Sequence, residues 1–268
     1  MKKIILVLGI CFCALFGDSL DQIKQKGVFR VGVYESQPPF EKFVDGKFEG
    51  FEIDLANSIA KDLFGENGGT VEFVIITAKD RIPALQQNKI DAVIANYTVT
   101  DERAKSVDFT MPYFAVNTGI LTRKNDNITS PLELRDTPII CEKGTTTEEY
   151  LQKNDFKIEY CNSAVECYKM VRDGKAKAYA ADNIVVLAYP VLDRSVEVSI
   201  KNLGTTDFLA IGVQKGNKTL LDFINDELIK LSKEGFFKKS FNETIQPFYK
   251  GHAEKKYFLL EDIYSVFG

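Results

Sequence analysis

The chain reads as an α/β protein built of two lobes, and three observations lead there. Strand-like runs rich in β-branched residues alternate with amphipathic helical patterns, the signature of βαβ units and parallel sheet. The alternation completes two cycles, each long enough for a sheet of its own. The 268 residues, 45% hydrophobic and 27% charged, supply core for one large domain or for two of about 100–150 residues.

The first cycle follows a polar stretch, DSLDQIKQKG. It opens with the strand VFRVGVY and the turn ESQPPF. In FEGFEIDLANSIAKDLFG, Phe51, Leu55 and Ile59 recur every four residues, which predicts an amphipathic helix. The strand VEFVIIT, the helix DRIPALQQN, the strand DAVIANYTV and the helix DERAKSV complete the cycle. The second cycle runs TPIIC (strand), TTEEYLQKN (helix), KIEYC (strand), SAVECYKMVRDG (helix), AKAYAAD (strand) and NIVVLAY (helix). The strand DFLAIGV and the long helix TLLDFINDELIKLSKEGFFKKSF follow, before a charged tail. The stretches around NTGILTRK and LGTTDFLA are the expected connections between the lobes.

The N-terminal MKKIILVLGICFCALFG has two lysines and then an apolar run too short for a comfortable membrane span, the layout of a secretory signal peptide. Gly17 and Ser19 fit a cleavage site loosely. Ile10 stands before Cys11, where a lipoprotein signal wants a small residue, so a soluble exported form is favoured over a lipid-anchored one. Three cysteines follow the leader, Cys141, Cys161 and Cys167, and an odd number leaves at most one intramolecular pair. Cys141 and Cys161 end apolar runs that read as neighbouring strands, whereas Cys167 falls at helical spacing with Ala164 and Val171 and reads as core packing.

Composition and motifs exclude several functions. A net charge of -4 gives no basic field for nucleic acid. The single histidine, His252, lies in the charged tail, so neither a Ser-His-Asp triad nor a histidine metal site can be built in the lobes. No Walker loop or GxGxxG is present, and no cofactor is expected.

Open α/β sheets bind ligands beyond the carboxyl ends of their strands, and unusual polar residues fall there. Asn96, Tyr97 and Thr98 end a strand, with Arg103 just beyond, at a predicted helix start where an anion is more welcome than a cation. A guanidinium beside helix-terminal N–H groups is a natural carboxylate or phosphate clamp. The plainer reading is a surface arginine paired with Asp101 or Asp108. In EKGTTTEEY, Gly144 permits a tight turn, and Thr145 or Thr146 with Glu148 or Glu149 fits a helix cap as well as a second anion-facing helix end. Asp182 closes the strand AKAYAAD without a sequence-local partner, so it suits a ligand ammonium; it equally suits an N-cap for NIVVLAY. One clamp for an anion and one lone carboxylate for a cation describe a site for an amino acid.

The order RVGVYESQPPFE, GFEIDLANSIAK, IPALQQNKIDAVIANYTVTDERAKSVDFTMPYF, EKGTTTEEYL and AYAADN resembles the periplasmic solute-binding proteins of polar amino-acid ABC transporters. The resemblance implies a periplasmic-binding-protein-like fold: a signal peptide over 1–19, a first lobe from 20–118 plus 208–250, a second lobe from 119–207, two crossover strands between them and a tail over 251–268. It implies that Arg103 holds the ligand α-carboxylate with Thr98, Thr145 and Thr146, and that Asp182 holds the α-ammonium with the Asn96 carbonyl. Relatives carry an acidic residue where Tyr34 stands and aromatic residues where Gln37 and Ala78 stand. Here Tyr34 lines the cleft instead, and Arg81 enters it as in the cysteine-binding and aspartate/glutamate-binding branches. An arginine near the ligand side chain favours an acceptor there and opposes lysine or arginine as ligand.

The resemblance thus implies a monomeric, non-enzymatic, periplasmic receptor for a small polar L-amino acid of the cysteine or aspartate/glutamate/glutamine class, delivering it to an inner-membrane ABC permease. The alternative on the same fold is an enzyme like the periplasmic cyclohexadienyl dehydratases, with Glu35 or Glu142 as general acid.

Overall fold

The computed structural model describes residues 17–250. The leader residues 1–16, with Cys11, and the tail 251–268, with His252, lie outside the described residues. Thirteen strands run in chain order: β1 (Val28–Val33), β2 (Ser36–Gln37), β3 (Glu41–Val44), β4 (Lys47–Glu49), β5 (Thr70–Ile75), β6 (Ala92–Val93), β7 (Val107–Phe109), β8 (Phe114–Arg123), β9 (Ile139–Glu142), β10 (Ile158–Cys161), β11 (Ala178–Asp182), β12 (Val196–Leu209) and β13 (Gly212–Gln214).

Two five-stranded sheets carry the two lobes, in the orders β5-β1-β6-β13-β7 and β10-β9-β11-β8-β12. In the first, β5, β1 and β6 are parallel and β13 runs antiparallel to both neighbours. In the second, β10, β9 and β11 are parallel, and β8 and β12 close it antiparallel. Parallel strands need crossover helices. The helices Phe51–Phe64 and Arg81–Gln86 serve the first sheet, Thr146–Lys153 and Ala164–Arg172 the second. The fully buried Phe51, Leu55 and Ile59 give the first of these its apolar stripe.

The crossing segments are real strands. The 14-residue β12 pairs with β8 from Val196↔Arg123 to Leu209↔Phe114, with three register shifts on the way. Its far end then bonds into the first lobe, where Val99 N–H donates to the Phe208 carbonyl and Ala210 N–H to the Tyr97 carbonyl. The segment Tyr97–Val99 is thereby fixed by the strand that returns from the other lobe. A further tie comes from the C-terminal end, where the Tyr249 hydroxyl donates to the Ile184 carbonyl.

Three local expectations give way. The helix expected from DERAKSV is a single turn, Asp101–Ala104, because Val107–Phe109 joins the first sheet beside β13. The long C-terminal helix stops at Lys233, and Gly235, at φ 78°, turns the chain before the short helix Phe236–Ser240. The cysteine pairing also differs. Cys161 is bonded to Cys167, with Cα atoms 5.4 Å apart, and Cys141 is free and buried. β9 and β10 are indeed neighbours, but their register sets Cys141 opposite Tyr160. Cys161 therefore faces the other side of the sheet, where the helix bearing Cys167 packs.

Candidate functional site

The ends of β1, β6, β9 and β11 meet at one cavity between the lobes, with about 30 Å³ of free space. A space of that size holds about two waters, so only a small ligand enters without parting the walls. Tyr34, Arg81, Asn96, Thr98 and Arg103 line it from the first lobe; Thr145, Thr146 and Asp182 line it from the second. The structure thus brings all eight candidate residues together. It adds Glu142, which sequence reasoning placed only in the enzymatic alternative.

Arg103 is 5% exposed and pairs with neither Asp101 nor Asp108; Asp108 is bound by Lys215 instead. Its Nη1 donates 2.7 Å to the Thr98 carbonyl and its Nη2 2.9 Å to the Gly144 carbonyl, which lies in the second lobe. Five N–H groups less those two leave three for a ligand. The single turn Asp101–Ala104 is too short for an appreciable macrodipole, so the anion preference of this corner comes from the guanidinium itself.

Arg81, 3% exposed, is used differently. Its Nε bonds the Ala78 carbonyl at 3.0 Å, its Nη1 the Ala95 and Asn96 carbonyls at 3.3 and 3.2 Å, and its Nη2 the Gly144 carbonyl at 3.0 Å. Four of its five N–H groups are therefore committed to backbone, and one remains. The Asn96 carbonyl accepts from Arg81 and so is a weaker host for an ammonium than the sequence reading supposed. Both guanidinia lie over the Tyr97 ring, at 4.6 Å for Arg81 and 5.2 Å for Arg103. Burial, and then the charge of Arg81, pushes Arg103 down to about 10. A ligand carboxylate would relieve that repulsion.

The second lobe supplies the opposite sign. Asp182 begins the helix Asn183–Val186 but makes no side-chain cap bond, so its carboxylate is not used as a cap. Burial, and then the charge of Asp207, raises Asp182 to about 7, against the opposing pull of both arginines. Burial likewise raises Glu142 to about 7. Thr145 is a true N-cap: its hydroxyl accepts from Glu148 N–H at 3.2 Å and donates to the Glu142 carbonyl at 2.8 Å. Thr146 begins the helix Thr146–Lys153 and lines the cavity beside it.

Under the cavity floor sits a pair that sequence reasoning missed. Glu41 and Glu52 are both fully buried. Glu52 accepts from Asn96 N–H at 3.0 Å and from the Tyr113 hydroxyl, and so holds Asn96 at its left-handed φ of 44°. Burial and the charge of Glu52 keep Glu41 well above the usual carboxylate range. The alternating pattern FEKFV carries no sign of it, since Glu41 is separated from Glu52 by a hairpin. Among the described residues, no cluster of His, Cys, Asp or Glu is arranged to hold a metal.

Two α/β lobes joined by crossing strands, with a charged cavity between them, define a solute-binding protein. Residues 29–246 match the bacterial extracellular solute-binding proteins, family 3, and the chain belongs to that family. The ABC transporter glutamine-binding protein of Bacillus subtilis is 32% identical over 206 residues, 75% of this chain and 74% of its own. Two solved structures are similar throughout: the solute receptor for L-cysteine of Neisseria gonorrhoeae and the cysteine-binding protein of Campylobacter jejuni. Each is 36% identical with a TM-score of 0.86, over 90% of this chain and 99% or 98% of the other. Among the described residues, no helix is long and apolar enough to cross a membrane.

Proposed function

We propose that this protein is an extracytoplasmic receptor that closes on a small polar L-amino acid and presents it to an ABC permease. One observation carries the reading: Arg103, with three uncommitted N–H groups, and Asp182, with no cap bond, line one cavity from opposite lobes. Arg103 takes the α-carboxylate and Asp182 the α-ammonium. Binding both charges at once draws the lobes together, because neither lobe alone holds both partners.

Periplasmic residence as a monomer belongs to the same reading. The disulfide Cys161–Cys167 suits an oxidising compartment. The deciding experiment is isothermal titration of wild-type protein and Arg103→Ala with L-amino acids. Loss of the buried charged contact should cost about 3–5 kcal/mol, roughly two to three and a half decades in affinity. A loss under about threefold rejects the assignment of Arg103.

A further inference from the structure

Four formal charges face the cavity: Arg81 and Arg103 from the first lobe, Asp182 and Glu142 from the second. If Arg103 and Asp182 take the two charges of the amino-acid backbone, the pair left over is Arg81 and Glu142. That pair is balanced. A ligand side chain carrying a further charge would unbalance it in a buried site, where an uncompensated charge is costly.

The chemistry of the pair is unequal. Arg81 has one N–H left, the other four being held by carbonyls, so it offers a side chain mostly a positive field. The Glu142 carboxyl is in no ion pair with Arg81 or any other described residue, and it lines the cavity from the C-terminal end of β9, two residues before Gly144. Its protein hydrogen-bonding neighbour is the Tyr179 hydroxyl, and a carboxylate so engaged still has lone pairs for a ligand donor. The groups that face it are Arg81 and Tyr34 across the cleft, Tyr179 and Asp182 from β11, Glu166 from the helix Ala164–Arg172, and Tyr189 from the helix Ala188–Leu192. With Arg103 and Asp182 given to the two ends of the amino-acid backbone, Glu142 and Arg81 are the charged groups of the lining left to meet the side chain.

We propose that Glu142 is the selector of the ligand side chain, accepting a hydrogen bond from a small uncharged donor such as a thiol or hydroxyl and excluding aspartate and glutamate. The inference rests on the amino-acid-binding reading above and narrows its ligand to small neutral amino acids. It reverses the preference drawn from Arg81 alone. Long cationic side chains are excluded by Arg81, which cannot shed its proton, and by the narrow cavity. Acidic side chains are excluded while Glu142 is ionised and gain entry as it takes up a proton.

The test is a set of calorimetric titrations with L-cysteine, L-serine, L-aspartate and L-glutamate at pH 7.5 and pH 5.5, on wild type and Glu142→Gln. Wild type should bind cysteine or serine at least about tenfold more tightly than aspartate at pH 7.5, and that ratio should fall several-fold at pH 5.5. Protonation of Asp182 weakens all four ligands alike, so the ratio isolates Glu142. In Glu142→Gln the ratio should drop by about tenfold at pH 7.5 and lose its pH dependence. Wild-type protein that takes aspartate as tightly as cysteine at pH 7.5, or a Glu142→Gln ratio unchanged within about twofold, overturns the proposal and leaves the receptor reading standing. If Glu142→Gln does not fold, the wild-type pH series decides alone: a flat ratio overturns the proposal. Failure of every amino acid to bind would instead overturn the receptor reading itself.

Discussion

Arg103 reaches across the cleft to the Gly144 carbonyl, its Nη2 lying 2.9 Å from the oxygen, and Arg81 bonds the same atom at 3.0 Å. Two cations of one lobe thus converge on one acceptor of the other. The convergence needs a glycine. Gly144 sits at φ 79°, and a Cβ there would lie 3.0 Å from the Lys79 backbone across the cleft.

Gly144→Ala should therefore hold the lobes apart while leaving each lobe folded. Alanine at this φ costs about 1–2 kcal/mol locally, and the clash falls only on the closed arrangement. The expected result is a loss of affinity of at least about tenfold, with a larger radius of gyration by small-angle scattering in the presence of ligand. Unchanged affinity and an unchanged radius would show that the Gly144 contact does not govern closure.

The two arginines should separate in their effects. Arg103→Ala should weaken ligand binding strongly and stability little, because only two of its five N–H groups bond carbonyls and the residue lines the cavity. Arg81→Ala should do the reverse: it strips a partner from the Ala78, Ala95 and Asn96 carbonyls, while the Gly144 carbonyl keeps Arg103. Unsatisfied buried acceptors cost about 1–3 kcal/mol each, partly recovered by water. Urea midpoints and titrations on both variants check this, and equal stability losses would contradict it.

Much of this was legible beforehand because strand ends announce themselves. Asn96–Thr98, Glu142 and Asp182 each close an apolar run with a polar residue, and the parallel topology brings such ends together. What stayed hidden depends on register or on distance in the chain. The Cys161–Cys167 bond follows from which sheet face Cys161 occupies, and the Glu41–Glu52 pair from a hairpin packed on a helix. The hairpin itself does carry a sequence signal. Asp45-Gly46 lies between alternating residues, and both take positive φ, at 50° and 82°, in the turn between β3 and β4. The resemblance separates Arg103, at the α-carboxylate, from Arg81, near the side chain; what it does not carry is that Arg81 spends most of its N–H groups on backbone carbonyls, since those bonds depend on how three loops meet.

Stability of the ligand-free protein should fall as pH rises toward 8. Asp182 and Glu142 are each raised to about 7 by burial, and Glu41 and Glu52 are raised as well. A carboxyl whose folded value is raised binds its proton more tightly in the native state, so its stabilisation is complete below the unfolded value near 4 and is lost as pH climbs through the folded value. The unfolding midpoint should therefore drop between pH 5.5 and 8. Ligand should flatten that slope, because an ammonium on Asp182 favours the ionised form. Binding near pH 6.5 should release protons, visible as titration enthalpies that vary with the ionisation enthalpy of the buffer; no such variation would contradict the Asp182 assignment.

Opening the Cys161–Cys167 bond should cost little by the scale of disulfides, because the sequence separation is only 6. Chain entropy gives about 2 kcal/mol for so short a loop. The double variant Cys161→Ala, Cys167→Ala should lower the urea midpoint accordingly and leave ligand affinity within a few-fold. A loss of binding by decades would mean that the bond also positions the helix Ala164–Arg172 for the cleft.

Asp18 and Ser19, two residues that the leader boundary at 19 would remove, are tied into the first lobe. Ser19 caps the helix Leu20–Lys26, its hydroxyl accepting from Gln22 N–H while the Gln22 side chain returns a bond to Ser19 N–H at 2.8 Å. Asp18, 7% exposed, pairs with Arg30 at 3.1 Å and with Lys26, and Arg30 is itself bound to the buried Asp91. Removing the cap alone costs about 1 kcal/mol, and removing Asp18 leaves Arg30 with less compensation for its partial burial. A chain beginning at Leu20 should therefore melt several degrees below one beginning at Asp18. Mass spectrometry of the exported protein should find Asp18 retained. Equal melting temperatures for the two chains would show that these N-terminal contacts contribute nothing to the fold and would leave the cleavage point free to lie after residue 19.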